Sequence, residues 1–588
     1  MLKFFLKGSK RYFALAVLFV VLQVIFELIN PKMIGYTVDF IIGEFSSIPG
    51  VVQDVIAALG GRDYVMGHLY LPALIVILIG LLAAASRYLF RLFNSMGAEH
   101  LIKRMRDQLF DHIIHLPYSW HDANQTGDII QRCTSDTETI KNFISEQLVN
   151  LVRMLVLISL TVFFMARIHI VLTIVALAFV MAVVGYSVIF HGKIGEKFLA
   201  VDTEEGKLSS IAQENLTGVR VVRAFGREQY ERTRFEQKNE TYIGHWVDMM
   251  KLLSGFWTIN DFIKGLETLV VLSLGTYFTV KGRMTAGELV AVISYNTMIV
   301  QPIAELGRVI SEMSKAGVSI KRIEYIMNSE AEKDDENAVD FPGAGDIVFE
   351  HVSFNYGSNN VLSDVSMTVK KGQTVGILGA TGSGKSTLML LLDGMYELSE
   401  GRITINGVDI SKIKKSRLRK NIGFVLQEPY LFSRSLMDNI KIAKEDAEYS
   451  EVENAVEIAG LTGTISKFKE GYNTYVGERG VTLSGGQKQR TAIAQMIIGK
   501  PEIMIFDDSL SAVDAQTDAH IRAALAKASR NATVIIISHR ITTIMGADRI
   551  YVLQDGKIKE QGSHSELINI HGIYSEIYDM QRAAEEDE

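Results

Sequence analysis

Lys385 and Ser386 stand near the end of the segment GATGSGKST, whose residue types suit a grip on a chain of phosphates. Gly379, Gly382 and Gly384 permit a tight turn with backbone N–H groups facing inward, and Ala380, Thr381, Ser383 and Thr387 complete the loop. Lys385 reaches β/γ-phosphate oxygens and Ser386 offers a hydroxyl to Mg²⁺. Further along, LSGGQ sets Ser484, Gly485, Gly486 and Gln487 at a helix start, where unpaired N–H groups form a second anion site. Two such loops predict ATP shared between two copies of a domain, which makes a nucleotide-closed clamp.

The elements around these loops belong to an α/β domain. Thr374–Leu378 is an expected strand feeding the phosphate loop, and Ser386–Leu392 begins the helix after it. Ile503–Phe506 is a continuous apolar run, as a parallel strand buried on both faces requires. It ends in Asp507, placed to hold Mg²⁺ through water. Val534–Ile537 is a similar strand running into Ser538 and His539.

The first half has a different composition. Of the 588 residues 48% are hydrophobic, more than a soluble enzyme of this size needs, and only eight are proline, which suits long helices. Apolar runs at Tyr12–Ile29, Leu69–Phe90, Leu148–Ala166, Ile170–Phe190, Trp257–Val280 and Met284–Pro302 are each near the roughly 20 residues that a bilayer crossing takes. They predict an all-α six-helix transmembrane domain. The fifth crossing has only Leu269–Val280 as purely apolar sequence and must take in Lys264 and Glu267. Lys3, Lys7, Lys10 and Arg11 favour a cytoplasmic N-terminus, and the loops Arg91–Gln147 and His191–Lys251 are rich in Lys and Arg.

Those two loops are too polar for lipid, yet they keep helical spacing, so long cytoplasmic extensions of the membrane helices are expected. Pro117 and Gly218 interrupt them, and short cross-pieces are expected to follow. Trp120, Val221, Val222 and Phe225 are apolar at those tips, which suggests docking surfaces. Ser329–Asp340, an acidic polar stretch, reads as a linker. The organisation read here is a transmembrane domain over 1–328, a linker over 329–345, a nucleotide-binding domain over 346–582 and a solvated acidic tail over 583–588. The net charge of −7 gives no footprint for nucleic acid, and the single Cys133 excludes an internal disulfide and reads as a small buried apolar residue.

With these residues in order, the chain resembles the ABC transporter superfamily, and within it exporter half-transporters, over nearly its whole length. The resemblance implies further site residues. Tyr356 in SFNYG stands where that family stacks an aromatic ring on adenine, and Gln427 in VLQEP where it links Mg²⁺ to the membrane domain. Gly477–Gly480 matches the segment before the signature that touches the cytoplasmic loops, and Thr126–Asp128 and RVVRAFGRE, ending at Glu228, look like the family's coupling loops. Asp514 in SAVD matches the loop that crosses between the two ATP sites, and His539 the γ-phosphate switch. Lys385, Gln427, His539 and the residue after Asp507 would carry catalysis, with Ser386, Gln427 and Asp507 around Mg²⁺.

One position departs from the pattern. Most fully active members follow the strand-end aspartate with glutamate, and this chain has Asp508. A degenerate ATP site paired with an intact LSGGQ implies the weak half of a heterodimeric exporter, although a slow homodimer would carry the same residues. The expected partners are a second half-transporter, the lipid bilayer and an amphipathic small molecule (drug, lipid or peptide). A nucleotide-gated channel with little turnover is the alternative from another class. Gln23 and Glu27 in the first span, Asn260, Asp261, Lys264 and Glu267 in the fifth, and Ser294, Tyr295, Asn296 and Gln301 in the sixth are polar groups at membrane depth. They are substrate candidates, with internal pairing of Asp261 with Lys264 and of Lys264 with Glu267, each spaced i,i+3, as the alternative for those three.

Overall fold

The computed structural model describes residues 5, 7–42, 50–58, 60–304, 306–509, 521, 523–524 and 532–586. These divide into two compact units, Met1–Ile114 with Gln125–Ser329, and His115–Asn124 with Glu330–Glu588.

The first unit is helical. Its long elements are α1 (Lys10–Ile42), α2 (Tyr70–Ile114), α3 (Val149–Ile168), α4 (Ile170–Thr217), α5 (Glu228–Val280), α6 (Ala286–Ala304) and α7 (Leu306–Asn328). Among the described residues five helices are long and apolar enough to cross a membrane: Lys10–Ile41, Tyr70–Ile114, Thr126–Ile168, Ile170–Thr217 and Glu228–Val280. The expected sixth run falls on α6, which is not among those five. Helices of 45, 48 and 53 residues exceed a bilayer crossing, so the charged stretches do continue the apolar ones without a break. Pro31 lies inside α1, and α6 runs past Pro302 to Ala304, so neither proline ends its helix.

The α1–α6 contact shows how the unit is held. The Asp39 carboxylate on α1 accepts hydrogen bonds from Thr285 Oγ1 and Gly287 N, each at 2.7 Å, the second satisfying a free N–H at the start of α6. A β-carbon at Gly287 would overlap the Gly35 carbonyl, so the helices approach backbone to backbone there. Farther along, buried Tyr295 donates from Oη to the Leu28 carbonyl at 2.7 Å. Of the two i,i+3 pairs considered in the fifth crossing, Lys264 meets Asp261 at 3.8 Å. Glu267 is instead buried, with neither carboxylate oxygen hydrogen-bonded among the described residues. Cys133 lies in a π-helical turn and is half-buried rather than buried, and its thiol is pushed up by desolvation.

The second unit is built on two sheets. One has the order β2 (Asn359–Val369), β1 (Ile347–Tyr356), β4 (Glu400–Ile405), β5 (Val408–Asp409), all antiparallel neighbours. The other runs β10 (Lys557–Gly562), β9 (Arg549–Gln554), β3 (Thr374–Leu378), β8 (Thr533–Ser538), β7 (Ile503–Asp507), β6 (Ile422–Val425). Its strands are parallel except for the edge pair β9–β10. All five residues of β7 are buried, as the apolar run required. The register pairs Leu378 with Ser538 and Asp507 with Ile537, which brings three strand ends, and the loops that leave them, to one edge of the sheet. α8 (Lys385–Leu392) follows β3, and α9 (Gly485–Ile498) precedes β7.

Pro117 and Gly218 are followed by the short helices Tyr118–Ala123, in the second unit, and Val219–Ala224, in the first. Val221 is exposed on the latter and Phe225 just past its end. Residues 330–340 are pinned to the second unit. Arg419 grips Glu332 with two hydrogen bonds (2.6 and 2.8 Å), and Lys414 meets Asp340 at 2.9 Å.

Candidate nucleotide site

The loop after β3 is shaped by backbone crowding. A β-carbon at Gly379 would overlap the Leu553 carbonyl of β9. Gly384 has φ +100°, and a β-carbon there would lie 2.7 Å from Leu362 Cδ2. Both positions demand glycine. Lys385 opens α8 and its ammonium folds back over the loop, donating to the carbonyls of Gly379 (2.7 Å) and Ala380 (2.8 Å). Burial pulls the Lys385 pKa down, and the Asp507 and Asp508 carboxylates pull it back up.

Asp507, at the end of β7, is buried, and desolvation raises its pKa. A hydrogen bond with Ser386 and the charge of Lys385 act the other way, while Asp508 raises it further. Asp508 follows in the left-handed region at φ +45°, and its backbone N–H is held by the Ile537 carbonyl at 2.9 Å. That backbone turns the side chain toward the end of β8, where Asp508 Oδ2 lies 2.9 Å from His539 Nδ1.

These groups share a cavity of about 310 Å³ lined by Tyr356, Val361, Thr381, Gly382, Gly384, Lys385, Ser386, Thr387, Gln427, Asp507, Asp508 and His539. Eleven of the twelve are residues expected from the sequence. Gly379, Ala380 and Ser383 lie in the loop without lining the cavity. A lysine, a glycine-rich turn and an apolar-aromatic end fit a nucleotide. The Ser386 hydroxyl, Asp507 carboxylate and Gln427 amide are hard oxygen donors that suit its Mg²⁺. The Gln427 backbone is fixed by Gln489 on α9, whose amide donates to the Gln427 carbonyl at 2.5 Å.

Ser484, Gly485, Gly486 and Gln487 do not line this cavity. Ser484 caps α9 in a capping box, taking the Gln487 N–H at 3.4 Å while the Gln487 side chain accepts from Ser484 N at 2.9 Å. Ser484 and Gly485 are exposed, so this anion-binding helix end faces outward on its own unit. Asp514 lies outside the described residues.

Sequence reasoning missed three contributors. Val361 enters the cavity from β2 with nothing but its apolar character to mark it. Gln581, on the C-terminal helix Ile573–Glu586, donates to the His539 carbonyl (2.7 Å) and accepts from Ile541 N (2.9 Å). Tyr396 packs edge-on against Tyr356, with ring centres 5.2 Å apart, and edge-on against Tyr118 at 5.3 Å. Its hydroxyl donates to Asp122 at 3.0 Å.

Comparison with known proteins decides the family. Residues 13–303 match the ABC transporter transmembrane region and residues 362–511 the ABC transporter ATPase model. A Bacillus subtilis protein described as uncharacterized ABC transporter ATP-binding protein YknU is 35% identical, over 90% of this chain and 92% of its own length. This chain belongs to the ABC transporters. A second B. subtilis relative, described as the probable multidrug resistance ABC transporter ATP-binding/permease protein YheI, is 32% identical over 99% of this chain and 97% of its own. A solved bacterial Atm1-family ABC exporter with ATP bound superposes with a TM-score of 0.80 at 28% identity, covering 97% of this chain and 99% of that one. This ABC transporter has the exporter fold, with a helical membrane domain and a sheet-containing ATPase domain. It is a multi-pass membrane protein that couples ATP hydrolysis to transport, in the export direction.

Proposed function

We propose that this chain is the weak-site half of a two-chain exporter, moving an amphipathic drug, lipid or peptide across the plasma membrane by alternating access. In this reading residues 1–328 cross the bilayer six times with the N-terminus in the cytoplasm, 329–345 link, 346–582 bind nucleotide, and 583–588 are a solvated tail. Tyr356 stacks on adenine, residues Gly379–Thr387 cradle the phosphates, and Ser386, Gln427 and Asp507 hold Mg²⁺. The Ser484–Gly486 amides and Gln487 complete the competent site on the partner. Asp514 stands in the loop that crosses between the two sites. Closure of the two ATPase domains moves the docking loops and switches access to the cavity, and hydrolysis releases the pair.

The observation that carries this reading is the pairing of Asp508, in the position of the attacking-water base, with an intact and outward-facing Ser484 cap. Aspartate is one methylene shorter than glutamate, and losing on the order of 1 Å of reach costs about 100-fold in a geometry-critical step. One observation favours the second reading, a slow homodimer: Asp508 does reach His539 at 2.9 Å, the contact an orienting histidine needs.

Affinity purification in mild detergent, with identification of what accompanies the chain, separates the two. Turnover of the purified complex adds a second arm. The two-chain reading expects Asp508→Glu and Asp508→Asn to leave ATPase within about twofold, and Ser484→Ala to lower it at least about tenfold. Complete silencing by Asp508→Asn assigns catalysis to this site and sinks the asymmetric arrangement.

A further inference from the structure

A second cavity lies wholly within the helical unit, between α1, α2, α3 and the π-helical turn Phe143–Leu148 that leads into α3. It measures about 530 Å³ and its wall includes Gln23, Arg87, Arg91, Asn94, Glu146 and Arg153. We propose that this is an anion-recognition pocket for the oxyanion headgroup of an amphiphile, and that Glu27 is its resident counter-ion, displaced when the headgroup binds. The proposal rests on the export reading and names the substrate class that reading leaves open.

Charge counting comes first. Glu27 on α1 is shared by two guanidinium groups, Arg87 of α2 at 2.6 Å and Arg153 of α3 at 3.4 Å. Gln23, one turn away, donates to the same carboxylate at 2.8 Å. Arg91 and Glu146 make no ion pair among the described residues. Three arginines therefore face two carboxylates, and the cavity wall carries a net positive charge, with Arg91 and Glu146 themselves exposed. A bound oxyanion supplies the missing charge, and the guanidinium fork matches a carboxylate or phosphate edge.

Hydrogen-bond accounting agrees. Arg153 Nε, Gln23 Oε1 and Asn94 Oδ1 are buried atoms without a partner, three polar groups around one cavity. Arg153 offers an N–H to an anion, while the two amide oxygens accept from hydroxyl or amine groups beside it. An ion clamp built only to join three helices has no use for these open valences. Arg87 remains half-exposed on the cavity side. On the same helix Leu81 and Leu82 are exposed one to two turns away, a surface that takes an acyl chain while the headgroup sits on the arginines.

The test uses the full-length protein, with whatever chain accompanies it, in phosphatidylcholine nanodiscs without nucleotide. Binding of radiolabelled dodecyl phosphate is compared with that of dodecylphosphocholine, which has the same chain but no net charge. The anionic probe is expected to bind about tenfold more tightly, and Arg87→Gln and Arg153→Gln each to weaken it about tenfold while changing the zwitterion less than about twofold. Arg87→Lys retains most of the preference and guards against misfolding. Glu27→Gln strengthens the anionic probe by roughly three- to tenfold, because the competitor inside the pocket is gone. Equal binding of the two probes overturns the proposal, as does weaker binding in Glu27→Gln, which would make Glu27 a structural pin. Competition by equimolar inorganic phosphate makes the site one for free anions and overturns the amphiphile. Vectorial transport in proteoliposomes is scored separately, so a loss of export leaves the binding result standing.

Discussion

At the residue scale, the dyad of Asp508 and His539 depends on a side chain outside the motifs. Gln581 holds the carbonyl of His539 and the N–H of Ile541, so the histidine leaves β8 along a fixed path. In Gln581→Ala both hydrogen bonds are lost and the imidazole is less well aimed, though no nucleotide contact is removed. On the weak-site reading turnover stays within about twofold of the wild type, as for Asp508→Asn, whereas a homodimer that hydrolyses at this site loses about threefold to tenfold in kcat with KM for ATP nearly unchanged. Asp393 is another residue outside the motifs, and its part is in stability. It is 5% exposed, and burial pushes its carboxyl up to about 7, with nearby Arg419 pulling down and Glu332 pushing up. A raised carboxyl pKa means that the folded protein keeps this proton after the unfolded chain has lost it. The resulting stability is fully present below the unfolded value of 3.8 and is lost as pH rises through about 7. The loss is on the order of 4 kcal/mol across that window. Asp393→Asn should flatten this slope, so thermal unfolding followed from pH 5 to 8 should show the variant gaining on the wild type as pH rises.

At the scale of elements, the short helix Tyr118–Ala123 lies against the ATPase strands through one aromatic residue. Tyr396 bridges from Tyr356, the adenine-stacking candidate, to Tyr118 and the Asp122 carboxylate, and burial together with that carboxylate holds its phenol well above the ordinary range. Tyr396→Phe keeps the ring packing and removes only the hydrogen bond. Basal ATPase is expected to persist while the substrate-stimulated part falls by half or more, with Asp122→Ala giving the same pattern in the same proteoliposome assay. This element also shows what the sequence carried. The phosphate loop, the helix start at Ser484 and the strand-end aspartate were legible because each is a local pattern: glycines for a turn, a serine followed by two glycines, an apolar run ended by a charge. Pro117 gave away the start of the short helix in the same way. Tyr396, Asp122 and Gln581 gave no such signal, because their roles arise from contacts between segments far apart in the chain, and a lone tyrosine, aspartate or glutamine has no spacing to read. The fifth crossing mixes the cases. The length that a crossing needs carried it through Lys264 and Glu267, but only the packing could tell that Lys264 pairs with Asp261 while buried Glu267 has no hydrogen-bond partner among the described residues.

At the scale of the whole molecule, orientation follows from where the cations lie. The segments Arg91–Gln147 and His191–Lys251 carry 16 of the 32 Lys and Arg of residues 1–328, and on the six-crossing reading such segments stay on the cytoplasmic side during insertion. The turn between α5 and α6 is short, so Lys281 should emerge on the opposite side from Arg223. The single native cysteine makes this testable, since Cys133→Ser leaves a chain with no thiol. In that background, Lys281→Cys is expected to react with a membrane-impermeant maleimide on intact cells, whereas Arg223→Cys should react only in inverted vesicles. Both side chains are exposed, so failure to label reports the bilayer rather than packing. Labelling of both positions from one side would mean an odd number of crossings is missing between them. The six-crossing arrangement would then fall, and with it the cytoplasmic placement of the ATPase domain that nucleotide-driven export requires.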